Sequence, residues 1–319
     1  MTSAATTVDR ASTPRRSSMK LRRRREVVPV ARADAPPLSP RLQLIRAALM
    51  LVFVLSFTLL LQLMVISSFQ HGAAQRRAFD GFRERLALGT APAGPVDADG
   101  APVPLGAGVA YLEIRAIGLQ QVVLEGTTSG VLFDGPGHRR DTPLPGQIGT
   151  SVIFGRRAAF GGPFSDLTDL RASDVITVTT GQGTFDYEVI GVRHEGDPAP
   201  DPVATGRSRL VLTTADGTAF LPSGVVRVDA DIITDPVVGP ARAFTAATLP
   251  AAERAMAGDS STLWAFALWL QALIVLAVGA VWAWHRWGRA QAWVVFLPPM
   301  MLVGLCASGE VARLLPNLL

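Results

Sequence analysis

The chain has 319 residues, a formal charge of +4, one cysteine and four histidines. A single thiol excludes an intrachain disulfide framework and a Cys-based metal site, and the histidines at 71, 138, 194 and 285 form no zinc-type ligand cluster. The charge is uneven: residues 1–46 carry 11 Lys/Arg against 3 Asp/Glu, whereas residues 69–262 carry 16 against 22. The basic balance therefore describes a tail and no basic domain.

Residues 1–46 read as a disordered, Pro- and Ser-containing cytoplasmic tail. Arg22, Arg23, Arg24 and Arg25 suit lipid headgroups, and no aromatic platform accompanies them, so no nucleic-acid partner is expected. Residues 47–69 are apolar and uncharged, long enough to cross a hydrocarbon core of about 30 Å and too long for a signal-peptide h-region. Residues 70–107 read as a juxtamembrane helix and linker: Phe79, Phe82 and Leu86 share one helical face, and an Ala/Pro/Gly-rich stretch follows.

Residues 108–232 read as the folded unit, mainly β. β-rich runs fall at 111–117, 122–125, 151–154, 174–179, 184–193, 209–214 and 225–232, a spacing that predicts a barrel or sandwich. One short helix is expected at 163–170. Residues 233–262 read as a linker. Two further spans are expected at 263–284, flanked by tryptophans, and at 292–312, interrupted by Pro298 and Pro299. The basic loop around Arg286 and Arg289 joins them. The positive-inside rule then predicts a cytoplasmic N-terminus and an extracellular β domain in a multi-pass membrane protein.

Several motifs in the β unit resemble those of the sortases, the cysteine transpeptidases of Gram-positive cell walls, and most of all the class E members. Leu112-Glu113-Ile114-Arg115-Ala116-Ile117-Gly118-Leu119 resembles a first strand that usually reads Leu-x-Ile-Pro-x-Ile-Gly-Leu, with Arg115 in place of Pro. Gly135-Pro136-Gly137-His138 and Thr142-Pro143-Leu144-Pro145-Gly146 match a class E stretch. Gly155-Arg156-Arg157 stands where the family has Gly-His-Arg, followed by Phe160-Gly161-Gly162-Pro163-Phe164. Leu212-Thr213-Thr214-Ala215 stands where the family run ends in the nucleophilic Cys.

The resemblance implies a closed β-barrel with a short helix for the β unit, which the charge pattern exports and the three apolar spans anchor. It puts Arg156 at the His position, Ala215 at the Cys position, and Gly224 or Val225 at that of the oxyanion-stabilising Arg, with Arg227 a little further along. A methyl group is no nucleophile and a guanidinium is no base, and Cys306 lies in the third span. A Thr213, Thr214 or Ser223 nucleophile would need an adjacent base. These replacements predict a protein that is not an enzyme, a sortase-like pseudoenzyme that binds or scaffolds at the outer face of a Gram-positive membrane without a cofactor. Thr213, Thr214, Arg227 and His138 are its candidate groove residues. The groove of the family holds an extended Leu-Pro-x-Thr-Gly-like peptide, so the expected partners are a sorting-signal peptide, a cell-wall precursor or another membrane protein. Two alternatives stand beside this: a membrane-complex subunit acting through its helices, whose small residues include Gly279, Ala283, Gly304, Ala307 and Ser308, and a residual hydrolase or transpeptidase of the sortase type.

Overall fold

The computed structural model describes residues 39–97, 100–218 and 220–319. The expectation for residues 1–38 lies outside them. The N-terminal helix begins with Ser39 as its cap, the Leu42 amide donating to its Oγ at 3.5 Å, and Pro40 in the first turn, where a missing N–H costs nothing. α1 (Pro40–Leu61) continues through a π-helical turn (Gln62–Ile66) into α2 (Ser67–Ala87) without a break. The polar side chains on this rod find partners nearby: Thr58 Oγ1 donates to the Val54 carbonyl at 2.7 Å, and Gln62 Nε2 donates to Gln70 Oε1 at 2.9 Å.

The β unit is a closed barrel. Its strands are β1 (Gly108–Ile114), β2 (Leu119–Glu125), β3 (Gly137–His138), β4 (Gly149–Phe154), β5 (Val175–Thr180), β6 (Gly183–Arg193), β7 (Ser208–Thr218) and β8 (Leu221–Ile232). Their order around the wall is β1-β2-β3-β4-β7-β8-β6-β5, with β5 closing onto β1. Pairing is antiparallel except for β2–β3 and β4–β7. A parallel β4–β7 pair needs a long crossover, and the β5–β6 hairpin lies within it.

Strand alternation decides what faces where. In β7 and β8 the even positions Leu210, Leu212, Val228, Ala230 and Ile232 point into a core shared with Leu112, Ile114, Ile153, Ile176, Val178 and Tyr187. The odd positions, Thr213 and Ala215 opposite Arg227 and Val225, therefore face outward. Tyr187 is buried at its hydroxyl too, where the Gly146 amide donates to it and Ser208 Oγ lies 3.0 Å away. Gly155, just beyond β4, has the Phe164 ring where a Cβ would stand, so only glycine allows this close approach.

The segment expected to be a helix at 163–170 forms only a 3₁₀ turn at Leu167–Asp169. The backbone before it is already committed: Phe160, Gly161 and Gly162 hold φ of 53°, 76° and 47°, left-handed values that cannot lead into a right-handed helix. A four-residue helix α3 (Val131–Asp134) precedes β3 instead. Residues 233–262 do more than connect, since Leu249 and Glu253 are buried and Glu253 pairs with Arg140.

The last two helices are α4 (Leu263–Trp287) and α5 (Arg289–Leu314), and α5 runs unbroken through Pro298 and Pro299. Among the described residues, three helical rods are thus long and apolar enough to cross a membrane: 41–87, 260–287 and 290–314. Their small residues are used within the chain. Gly279 meets the Phe296 ring, Gly304 meets the Thr58 side chain, and Ser308 Oγ donates to Thr58 Oγ1 at 3.1 Å.

Candidate functional site

On the outer face of the barrel, three adjacent strands present Val152 and Phe154 (β4), Thr213 and Ala215 (β7), and Val225 and Arg227 (β8). Ala215 lies directly opposite Val225, and Thr213 lies between Phe154 and Arg227. Leu132 of α3 and Met256 close the apolar part of this floor. Leu318 is seated on it, fully buried, although it lies beyond the last helix. Burying a leucine side chain is worth about 1.5–3 kcal/mol.

Residues 315–319 follow α5 and run across this face. Ser129 Oγ donates to the Leu315 carbonyl at 3.4 Å. The Asn317 amide donates to the Ala257 carbonyl, and its side-chain Nδ2 to the carbonyls of Thr127 and Arg254, all at 2.9 Å. The Arg157 amide donates to the Leu318 carbonyl at 3.0 Å. Each of these is a bond that a main chain or amide of any extended peptide can make.

Arg156 borders the same segment. Its side chain is 1% exposed, lies over the rings of Phe133 and Phe160 at 4.7 and 5.2 Å, and donates from Nη1 to the Leu319 main-chain oxygen at 3.0 Å. Nη2 donates to Ser129 Oγ at 2.8 Å. The two rings stack at 3.8 Å. Burial pushes the guanidinium down to about 9, so it still carries its charge at pH 7. A buried cation over aromatic faces is worth about 2 kcal/mol or more.

Arg157 reaches the other wall and donates from Nη1 to the Ala215 carbonyl at 3.1 Å. Next to Ala215, the His194 Nδ1 and an Asp216 carboxylate oxygen are 2.7 Å apart, and that hydrogen bond holds Asp216 below the usual carboxylate range. Thr214 faces inward, fully buried, and its Oγ1 has no partner among the described residues. In the sequence His194 stands at a strand end beside Glu195 and reads as a solvated residue, a base candidate set aside, and nothing local points to Asp216, 22 positions on, as its partner.

The structure therefore brings Arg156, Ala215, Val225, Thr213 and Arg227 to one face and leaves His138 elsewhere. The His138 ring is buried between Glu125, 3.0 Å from Nδ1, and the Pro143 carbonyl, 3.0 Å from Nε2. Both nitrogens face acceptors, the arrangement that suits an imidazolium. Burial alone would lower this group, but Glu125, the Pro143 carbonyl and Asp141 together outweigh it and raise it above the usual histidine value. His138 is a buried charge partner of Glu125 and not a groove residue.

Comparison with known proteins agrees with this architecture. Residues 112–220, about a third of the chain, match the family model of the sortase domain. Over these residues the barrel matches the sortase domain. No curated protein matches the sequence closely. Among solved structures it is similar to the sortase D5 transpeptidase of Clostridium perfringens, with 22% identity over 51% of this chain and 99% of that one and a TM-score of 0.41. It is similar to the sortase SrtF of Corynebacterium diphtheriae, with 25% identity over 47% and 93% and a TM-score of 0.37. A sortase C of Clostridium perfringens, solved with the C-terminal cell wall sorting motif, shows 18% identity over 51% and 89% and a TM-score of 0.39.

The domain match corrects one expectation. A protein that is not an enzyme was read from Arg156 and Ala215, yet the matched domain is that of a transpeptidase family. Two side chains do not define the chemistry of a site that also holds Thr213, the His194–Asp216 pair and Arg157.

Proposed function

We propose that this is a membrane-anchored sortase-family protein whose barrel recognises an extended peptide of the sorting-signal type at the outer face of a Gram-positive cell membrane. The observation that carries the reading is the outer-face floor of Val152, Phe154, Ala215 and Val225, on which a leucine of an extended segment is fully buried. Ala215 matters here through its size: a methyl leaves room for that leucine above the strand. Arg156 and Arg157 supply main-chain recognition on one side, and Arg227 lines the other end of the floor. In this reading Arg156, Ala215 and Val225 occupy the positions of the family's His, Cys and Arg. The segment lying there also starts Leu-Pro, as a Leu-Pro-x-Thr-Gly peptide does.

Charge supports the orientation. With the Arg-rich N-terminal residues inside, three spans put the barrel and residues 315–319 on the same side of the membrane, as their mutual contacts require. The test is titration of the full-length protein in nanodiscs with a Leu-Pro-x-Thr-Gly peptide, following binding by fluorescence and product by mass spectrometry. Saturable binding that Val225→Asp weakens at least tenfold is expected. Identical binding to the wild type and to Val225→Asp would move recognition to another face.

A further inference from the structure

Residues 315–319 cover the part of the recognition face around Ala215 and Val225, yet they fit it imperfectly. Two polar atoms at the contact, Arg156 Nε and Asn317 Oδ1, are buried without hydrogen-bond partners among the described residues. Among the described residues no carboxylate side chain pairs with Arg156, whose guanidinium is met by main-chain oxygens, one hydroxyl and two aromatic rings. An occupant that leaves a donor and an acceptor unpaired is less than optimal for its site, because such atoms forgo hydrogen bonds that water or a better ligand would supply. The anchoring is also concentrated. One apolar side chain, Leu318, enters the floor, one amide, Asn317, is held by side-chain bonds, and the other bonds go to main chain.

The segment is tied to the membrane bundle through Leu314. It leaves α5 directly after Leu314, and that end of α5 packs Ala312 against Ala159 and Phe160, the residue stacked under Arg156. The Arg313 carbonyl accepts from the Asp259 amide at 2.9 Å, so the last turn of α5 and the 254–259 strap move as neighbours.

We infer that residues 315–319 are a tethered ligand of the barrel, a peptide bound in cis that must leave before the same face can take a peptide in trans, with Leu318 as its anchor and Arg156 as its latch. The inference rests on the peptide-recognition reading of this face and adds to it a resident occupant. A tethered segment competes at an effective concentration in the millimolar range, so an untethered peptide meets only the fraction of molecules whose segment has swung out. Because the segment starts at α5, displacement of that helix against α1 would set this fraction, making the membrane bundle the control element of the site.

The experiment uses full-length protein in nanodiscs and two fluorescent probes: a peptide with the sequence of residues 315–319 and a Leu-Pro-x-Thr-Gly peptide. Binding is measured for the wild type, for Leu318→Asp, which drives a charge into the apolar floor, and for a protein lacking residues 315–319, which tests the same point should Leu318→Asp fold poorly. Hydrogen exchange of the Arg157 amide, bonded to Leu318 in the wild type, reports release of the segment. The expected result is that both altered proteins exchange this amide faster and bind the 315–319 peptide at least about tenfold more tightly than the wild type does. Equal affinity for that peptide across all three proteins, with exchange showing the segment released, would overturn the inference. A sorting-type peptide that binds all three equally would overturn it too, while leaving the proposed function standing. Gain with the 315–319 peptide, together with no binding of the sorting-type peptide by any of the three proteins, would uphold the cis ligand and overturn the proposed ligand class.

Discussion

Arg156 and Leu319 are separated by 163 positions, yet the guanidinium of one donates to the main-chain oxygen of the other at 3.0 Å. The bond joins the loop after β4 to the residues after α5, and it acts beside the Arg157–Leu318, Ser129–Leu315 and Asn317–Thr127 bonds at the recognition face. Replacing Arg156 by Met keeps an unbranched apolar stem and removes the donors. Arg156→Met is expected to raise amide exchange at Asn317 and Leu319 by roughly tenfold or more, the size of one or two hydrogen bonds to a charged group, at about 1.5–3 kcal/mol each. The melting temperature of the barrel should move far less.

A thiol placed under Leu318 reports the same cover chemically. Ala215 is 1% exposed, with Leu318 packed over it. In a Cys306→Ser background, Ala215→Cys is expected to react slowly with iodoacetamide, and adding Leu318→Ser should speed alkylation at least tenfold. Any turnover by the native protein should be indifferent to thiol reagents, because its sole cysteine, Cys306, lies in α5. Equal alkylation rates in both variants would place Leu318 elsewhere.

The His138–Glu125 pair gives the barrel a pH dependence with a definite sign. His138 is raised in the folded protein, so its contribution is fully present below the unfolded value near 6.5 and is lost as pH rises through the folded value. Thermal melts of the wild type from pH 6 upward should therefore show a falling term that His138→Gln lacks. A wild type and variant with parallel profiles would refute the charge assignment.

Tyr187 tests the core on its polar side. Its hydroxyl accepts from the Gly146 amide and meets Ser208 Oγ, all within the barrel. Tyr187→Phe leaves both partners buried and unpaired, which costs about 1–3 kcal/mol. Denaturant titration should show this as a lower midpoint with an unchanged slope.

Much of the barrel was legible because alternation leaves a local trace: each of the seven β-rich runs lies within, or overlaps, an observed strand. β3 has only Gly137 and His138, and two residues cannot alternate. The expected helix at 163–170 failed for a reason outside its own window, the left-handed turn at Phe160, Gly161 and Gly162. In the site, motif spacing singled out Arg156, Ala215 and Val225; Ala215 and Val225 lie opposite each other on neighbouring strands, and Arg156 borders the segment over them. His138 was drawn in by a neighbouring motif, although its ring serves Glu125. Residues 315–319 carry no periodicity, and their place depends on packing against strands more than 90 positions away, so local pattern gave no hint of them.

The rod 41–87 has one more consequence. Its 47 residues without a break extend about 70 Å, over twice the hydrocarbon thickness. The far half is riveted to the barrel wall, where Gln75 bonds both the amide and the carbonyl of Val122, and Arg85 reaches the Gly108 carbonyl. Such a mast leaves no hinge between bilayer and barrel. The distance from the lipid surface at which a passing polypeptide is met is thereby set by a helix length, as a gauge block sets a gap.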